Sequence, residues 1–535
     1  MKGREQFLDW IVYELYPRSF YDSDGDGVGD IKGILEKIDH LSELGVNALW
    51  LCPCYKSPNR DNGYDISDYR KIMTEFGTLA DWKRLKKELE KRQIKLIMDL
   101  VANHTSSQHE WFVKGRKSKT HPFHDYYIWA DEPLNDWKSV FGGSAWEYNE
   151  ETDEYYLHSF DKEQPDLNWE NLKVRKEMKE IVDYWTELGV DGFRCDVLDF
   201  IAKDFQKDKM YNGDKLHDYV RELFNRKETK ELFTVGECKF DEKEIGLICG
   251  KDRGELTAVF QFDHLHTEGV NKYLPTPFLL DDVRNTLVKW QKFTIKNGLL
   301  YTIFTDNHDE PFFLSRIPQA KKYRYEAATA IAAMFFLLRG IPFVYQGQEY
   351  GSVNSKYRKI EKFNDVETLR YYEEHKDSVS KKELMERINR ASRDNARRPF
   401  AWNGKKGKNF GFSTGKCWLA LSSEGKKINL ETDQKSEKSV FKFYKALFAF
   451  RRKNEAVRYG DFSDWTKGDG RFVYVRTWKK QQIAVCCNFE SSQQLSEMKR
   501  LQKEGFSPVM SNYEGQPFDE DFRPFEAVIF EKILP

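Results

Sequence analysis

The stretch RKEMKEIVDYWTELGVDGFRCDV, Arg175 to Val197, is the one from which the fold can be read. Its first fourteen residues set apolar side chains at helical spacing among charged ones, as an amphipathic helix does. Its end, VDGFRCDV, is a short apolar run of strand length. Seven more such runs occur: IVYELYP from Ile11, VNALWL from Val46, IKLIMDLV from Ile94, LFTVGE from Leu232, TAVFQF from Thr257, LYTIFTD from Leu300 and IPFVYQG from Ile341. Most are separated by helix-period segments, such as the lysine-rich DWKRLKKELEKR from Asp81. Alternating strands and helices imply a parallel sheet with crossover helices. Eight units predict an α/β chain closed into a (β/α)8 TIM barrel, with a doubly wound open sheet as the alternative.

Two long segments interrupt the alternation. A polar, aromatic insertion from His104 to about Glu170 follows the third run, and a charged segment from Gly351 to about Lys435 follows the eighth. Long loops at strand ends belong to a barrel's active face. From about Arg458 the pattern changes to RFVYVRTW, QQIAVCCNF and FEAVIF, short strand-like pieces. The expected domains are a barrel over 1–103 and 174–455, an inserted loop-rich domain over 104–173, and a C-terminal antiparallel, β-sandwich-like domain over 456–535.

The chain has 535 residues, long enough for two or more domains. Its 86 Lys and Arg against 87 Asp and Glu leave a net charge of −1. That balance excludes bulk charge as a route to nucleic acid or an anionic membrane. Aromatic residues reach 15%, a surplus that suits ring-stacking ligands such as sugars. The longest apolar run, Ala327 to Leu338, is too short to span a bilayer and reads as a buried helix. The N-terminal MKGREQFLDW has no signal core. The eight cysteines show no metal spacing and are expected to be reduced thiols of a cytoplasmic protein. A monomer with an oligosaccharide substrate and no nucleic-acid or membrane partner is expected.

Active sites of such barrels lie at the C-terminal ends of the strands. The third run ends in Asp99 and continues to Asn103-His104, and the fourth holds Arg194 and ends at Asp196. The fifth ends at Glu237, and the seventh runs into Asn307-His308-Asp309. Carboxylates directly after apolar strands are costly to bury without a task. Converging carboxylates with Arg and His, and no phosphate loop, suit glycosidic-bond cleavage. Metal-assisted hydrolysis would need ligand spacings such as H-E-x-x-H, which are absent.

The segments ANHTS, GVDGFRCDVLD, VGEC and FTDNHDE, in that order, resemble the four signature segments of the α-amylase family of retaining glycosidases, glycoside hydrolase family 13. QPDLN at Gln164–Asn168 resembles the fifth segment of its oligo-1,6-glucosidase and α-glucosidase subgroup. WIVYELYPRSFYDSDGDGVGDIKGI, YKSPNRDNGYDISDY, FGGSAWEY and SRDNARRP also fit that subgroup. The resemblance implies Asp196 as nucleophile, Glu237 as general acid and base, and Asp309 as binder of the sugar hydroxyls. It places Arg194 beside Asp196, His104 and His308 on glycone hydroxyls, and Tyr64 as a stacking floor. It implies that Asp65 and Arg397 hold the non-reducing end and close the pocket. No organic cofactor is implied.

Val197 follows the nucleophile position, where the subgroup usually has Val in enzymes preferring α-1,6 bonds and Thr in those preferring α-1,4 bonds. The expected activity is therefore a retaining, exo-acting α-glucosidase on α-1,6-linked gluco-oligosaccharides. The alternatives are α-1,4 oligosaccharides, sucrose, trehalose 6-phosphate, or sucrose isomerisation. Phe312 stands where the subgroup often has Arg, so the acceptor side departs from the pattern. A second motif, DSDGDGVGD, puts Asp22, Asp24, Asp26, the Val28 carbonyl and Asp30 at EF-like ligand positions. Hard oxygen donors at this spacing predict a structural Ca²⁺, with Mg²⁺ second.

Overall fold

A computed structural model describes residues 4–250, 254–267, 269, 271–274, 277–514 and 521–534. All eight apolar runs contain strands: β1 (Val12–Leu15), β2 (Ala48–Leu51), β3 (Lys95–Val101), β4 (Gly192–Asp196), β5 (Phe233–Glu237), β6 (Ala258–Phe260), β7 (Thr302–Ile303) and β8 (Ile341–Tyr345). They form one sheet in the order β6-β5-β4-β3-β2-β1-β8-β7, and every pairing is parallel. β6 and β7 share no ladder. Side chains bridge that seam instead: Thr302 Oγ1 donates to the Val259 carbonyl at 3.1 Å, and a His264 ring nitrogen lies 2.7 Å from the Phe304 carbonyl. The sheet curls into a near-closed barrel, as the alternation of runs predicts.

Each strand is followed by a helix: α1 (Ile38–Leu44), α2 (Leu79–Lys91), α3 (Leu172–Glu187), α4 (Leu216–Phe224), α5 (Glu242–Ile248), α6 (Leu280–Lys296), α7 (Arg324–Phe336) and α8 (Val440–Lys453). Local chemistry starts them. Thr78 and Asp81 form a reciprocal capping box at α2, Asn171 caps α3 and Asp241 caps α5. α7 holds the first ten residues of the long apolar run, Ala327 to Phe336, all of them buried. The barrel covers one of its faces. The C-terminal sheet covers the other, where Tyr474 Oη donates to the carbonyls of Ala333 and Met334.

That sheet comprises β9 (Asp461–Asp464), β10 (Arg471–Trp478), β11 (Gln481–Asn488), β12 (Ser507–Ser511) and β13 (Ala527–Ile533), antiparallel in the order β9-β10-β11-β13-β12. Its second face packs on the helix Glu497–Lys503 and a two-stranded ribbon, so the second layer is not a full sheet. The insertion after β3 forms a three-stranded antiparallel sheet of Trp129–Ala130, Glu154–Leu157 and Trp146–Asn149. The segment after β8 carries the helices Val366–His375 and Lys381–Ala391 and two shorter ones, Asp394–Arg397 and Leu430–Lys435. Among the described residues, no helix is long and apolar enough to cross a membrane.

Candidate active site

Strand register sets two strand-end carboxylates side by side. Arg194 pairs with Asp99 across β4 and β3, and Cys195 pairs with Gly236 across β4 and β5. The residues that end β4 and β5, Asp196 and Glu237, are therefore neighbours about one strand spacing apart. Arg194 and Asp196, two residues apart, share the inner face. The Arg194 guanidinium is buried and donates through Nη1 to Asp99 Oδ1 at 2.8 Å and Asp196 Oδ1 at 2.6 Å. Nη2 donates to Glu237. Trp50 and Tyr64 flank the cation, with centroids 5.2 and 5.6 Å away. One cation thus serves three acids. Burial pushes the Asp196 carboxyl up, Arg194 opposes this, and the charges of Glu237 and Asp99 add to the rise.

Val197 adopts φ 34° and ψ 49°. A β-branched residue in the left-handed region costs on the order of 1–3 kcal/mol. The turn aims the end of β4 into the cleft, and Val197 lines it.

A second cluster forms around the strand-end Asn307-His308-Asp309. His308 Nε2 lies 2.9 Å from Asp309 Oδ2 and 2.7 Å from Tyr64 Oη. The Tyr64 ring stacks on it at 5.2 Å. Asp309 Oδ1 accepts from Arg397 and, at 3.2 Å, from Arg393. Burial works to raise the Asp309 carboxyl, but His308 and Arg397 hold it well below the usual carboxylate range. His104 sits 3.1 Å from Gln164 Nε2 and 3.2 Å from Asn103 Nδ2, and burial keeps it below the ordinary histidine value.

Two expected positions differ from what the sequence implies. Asp65 does not line the cleft. It is fully buried in its own loop, accepting from the backbone N–H groups of Arg60 and Asp61 and from Ser57 Oγ, and burial raises it to about 6. Asp61 lines the cleft instead, held by Gln164 at 3.2 Å and Arg393 at 3.3 Å. Likewise Arg397 is fully buried behind Asp309, while Arg393 lines the cleft and ties Asp61, Asp309 and Asp365 together. The sequence carries both pairs four residues apart, which is why it does not separate them. Asp61, Arg393, Phe141 and Phe160 are cleft residues that sequence reasoning missed as site residues, and Gln164 is buried behind them, bonded to Asp61 and His104.

The cleft has a volume of about 1280 Å³. Its closed end is walled by Asp61, Tyr64, His104 and Arg393, and its outer part by Lys272, Arg316, Asn354 and Arg390. A side cavity of about 560 Å³, floored by Phe260, Phe262 and Trp290, meets it at Glu237, Val197 and Asp309. Phe312 lies outside both, buried with its N–H on Asn354.

Comparison with known proteins matches this barrel. The alpha amylase catalytic domain profile covers residues 14–460. The chain belongs to the α-amylase family. It is 42% identical to an oligo-1,6-glucosidase of Parageobacillus thermoglucosidasius over 98% of each chain, and 41% identical to a glucan 1,6-alpha-glucosidase of Streptococcus pneumoniae over 90% and 91%. Among solved structures, a Bacillus licheniformis trehalose-6-phosphate hydrolase superposes with a TM-score of 0.92 at 35% identity, covering 98% and 99% of the chains. Isomaltulose synthase from Erwinia rhapontici gives 0.91 at 33%, covering 99% of each. Membership of the α-amylase family makes this chain a glycoside hydrolase, with an oligosaccharide substrate.

Outside the cleft, this family member brings together the carboxylates of Asp22, Asp24 and Asp30, with oxygens within 4.8 Å. The loop is cast in a fixed shape: Gly27 has φ +97°, and a Cβ there would sit 1.8 Å from the Lys416 carbonyl. Asp26 is not part of that group. Its carboxylate is exposed and accepts from the Val28 N–H at 2.7 Å.

Proposed function

We propose that the protein is a retaining exo-α-glucosidase that removes one glucose from the non-reducing end of α-1,6-linked gluco-oligosaccharides. The observation that carries this is the shared guanidinium: Arg194 holds Asp196 and Glu237 together in a cleft whose far end is shut by Asp61 and Arg393. Asp196 attacks the anomeric carbon while Glu237 gives its proton to the leaving oxygen. A β-glucosyl ester forms, and the leaving sugar departs past Val197. Glu237 then takes a proton from water, which opens the ester and returns the anomeric centre to α. Asp309 and His308 bind the glycone hydroxyls, His104 adds a neutral donor, and Tyr64 supplies the ring floor. Asp61 and Arg393 hold the terminal hydroxyls, leaving room for one sugar only.

Val197 supports the α-1,6 preference, since a methyl there offers an aglycone hydroxyl no partner. A second substrate, trehalose 6-phosphate, is favoured by Lys239, Lys272, Arg316 and Arg390 around the outer cleft. Lys272 and Arg316 are already paired with Glu367 and Glu310, so the first reading stands ahead. The deciding experiment compares kcat/KM on isomaltose, maltose, sucrose and trehalose 6-phosphate, with proton NMR of the first-formed glucose. Isomaltose should lead and α-glucose should appear first. A lead for another substrate overturns the linkage, and β-glucose overturns retention.

The Asp22 loop fits a Ca²⁺ ion, with Mg²⁺ second, held by Asp22, Asp24 and Asp30. Its place beyond β1, away from the cleft, makes it a stability element. Chelation should lower the thermal midpoint by a few degrees, read by calorimetry, and leave the 25 °C turnover within about twofold.

A further inference from the structure

Behind the sugar pocket lies a buried acid that the reaction above does not use. Glu14, on β1, is 1% exposed. Its Oε1 accepts from the His308 backbone N–H at 3.1 Å and lies 2.6 Å from His308 Nδ1. Cys52 Sγ donates to the same oxygen at 3.7 Å. On the opposite edge of the ring, Nε2 meets Asp309 Oδ2 at 2.9 Å. The imidazole is sandwiched nearly parallel between Tyr16 and Tyr64, at 6.2 and 5.2 Å, which leaves it little freedom to turn over. A neutral imidazole has one N–H and could serve only one of these carboxylates. A buried carboxylate facing a nitrogen lone pair is costly, so an acid on each edge calls for a donor on each edge.

We propose that Glu14 is a positioning residue for sugar binding: it fixes His308 as a donor at both ring nitrogens, so that Nε2–H is always presented to Asp309 and the glycone hydroxyls. This rests on His308 and Asp309 being the sugar-binding pair of the proposed glucosidase. Glu14 does not touch the sugar; it acts through the ring.

The surroundings fit that arrangement. Burial opposes charging of His308, and its neighbours, Asp309 foremost, outweigh it; Glu14 is coupled to the same proton, because burial raises its carboxyl while His308, by hydrogen bond and charge, draws it back down. The other groups that face the pair are Tyr16 beyond β1, Trp50 and Cys52 from β2 and its end, Asp99 on β3, Arg194 on β4, Tyr345 on β8, and Tyr64, Arg393 and Arg397 from the loops. Of these, Asp99 is the further acid. Arg194, Arg393 and Arg397 are engaged with carboxylates of their own.

The test is Glu14→Gln, which keeps the shape and an oxygen for Nδ1–H but removes the charge. His308 then deprotonates as pH rises, Nε2 loses its proton, and Asp309 Oδ2 loses that donor while Oδ1 keeps those from Arg393 and Arg397. With p-nitrophenyl α-D-glucoside, KM at pH 8 should rise roughly tenfold or more, while KM at pH 5.5 stays within about twofold. The alkaline limb of kcat/KM should move to lower pH. An unchanged profile, or an equal loss at both pH values, overturns the proposal. Independently of that variant's folding, the unaltered protein should show a low-field imidazole proton resonance that survives to pH 8 and is missing in His308→Asn; its absence also overturns the proposal. The resonance requires no turnover, so failure of the glucosidase reading would show separately, as an unaltered protein that cleaves no α-glucoside.

Discussion

At the closed end of the cleft, Asp61, Asp309, Asp365, Arg393 and Arg397 form one ion network, drawn from three separate loops and buried except at Asp309, which turns partly to the cleft. At the open end, Lys239 and His266 are exposed, and Lys272 is half-buried beside Glu367. The same residue types do different work in the two places. Removing one ion from the first network strands its partners away from water, whereas solvent repairs a loss in the second. Under the proposed function, identity of the first sugar is thus set rigidly, and identity of the leaving group loosely. The family's range of named activities, from oligo-1,6-glucosidase to isomaltulose synthase on similar barrels, fits that division.

Substitutions can break or sharpen the contrast. The largest effect should come from Asp196→Ala, with kcat/KM on isomaltose down by about 10⁴ or more. Its thermal midpoint should hold or rise, because one of three acids crowding Arg194 is gone. Arg393→Ala comes next: a loss of roughly 10²–10³ in kcat/KM, with destabilisation of about 3–5 kcal/mol in denaturant titration from the acids left behind. Val197→Thr should raise the maltose-to-isomaltose ratio of kcat/KM about tenfold, close to what one polar contact can discriminate. Lys239→Ala should change kcat/KM within about threefold. A Lys239 effect as large as that of Arg393 would dissolve the distinction between the two ends.

The barrel was legible because each β/α unit writes its own period into the sequence, and even the two-residue β7 lies in a clear apolar run. β9 and β12 were not, since their edge positions leave them polar and half-exposed. Asp309 lies six residues past β7, whereas the side-by-side placing of Asp196 and Glu237 was legible because they end β4 and β5, where register leaves little choice. The pocket wall was not. Asp61 and Asp65 lie on one irregular loop that includes Asn62 at φ 50° and Gly63 at φ 104°, and that reversal, rather than any local pattern, turns Asp61 toward the cleft. Arg393 and Arg397 are one helical turn apart, and only the packing of the last insertion decides which of them reaches the cavity. Glu14 reads in sequence as a lone acid in a strand; its partner is some 290 residues away.

The position of α7 has a consequence for biosynthesis. Its outer, mostly apolar side, with Thr329 a polar exception, is shielded by a sheet in which β13 is an inner strand, and β13 is translated about 190 residues after α7. At ribosomal speed that interval lasts roughly ten to forty seconds. During it the nascent barrel carries that face of α7 without its sheet, an interval in which apolar surface is open to association.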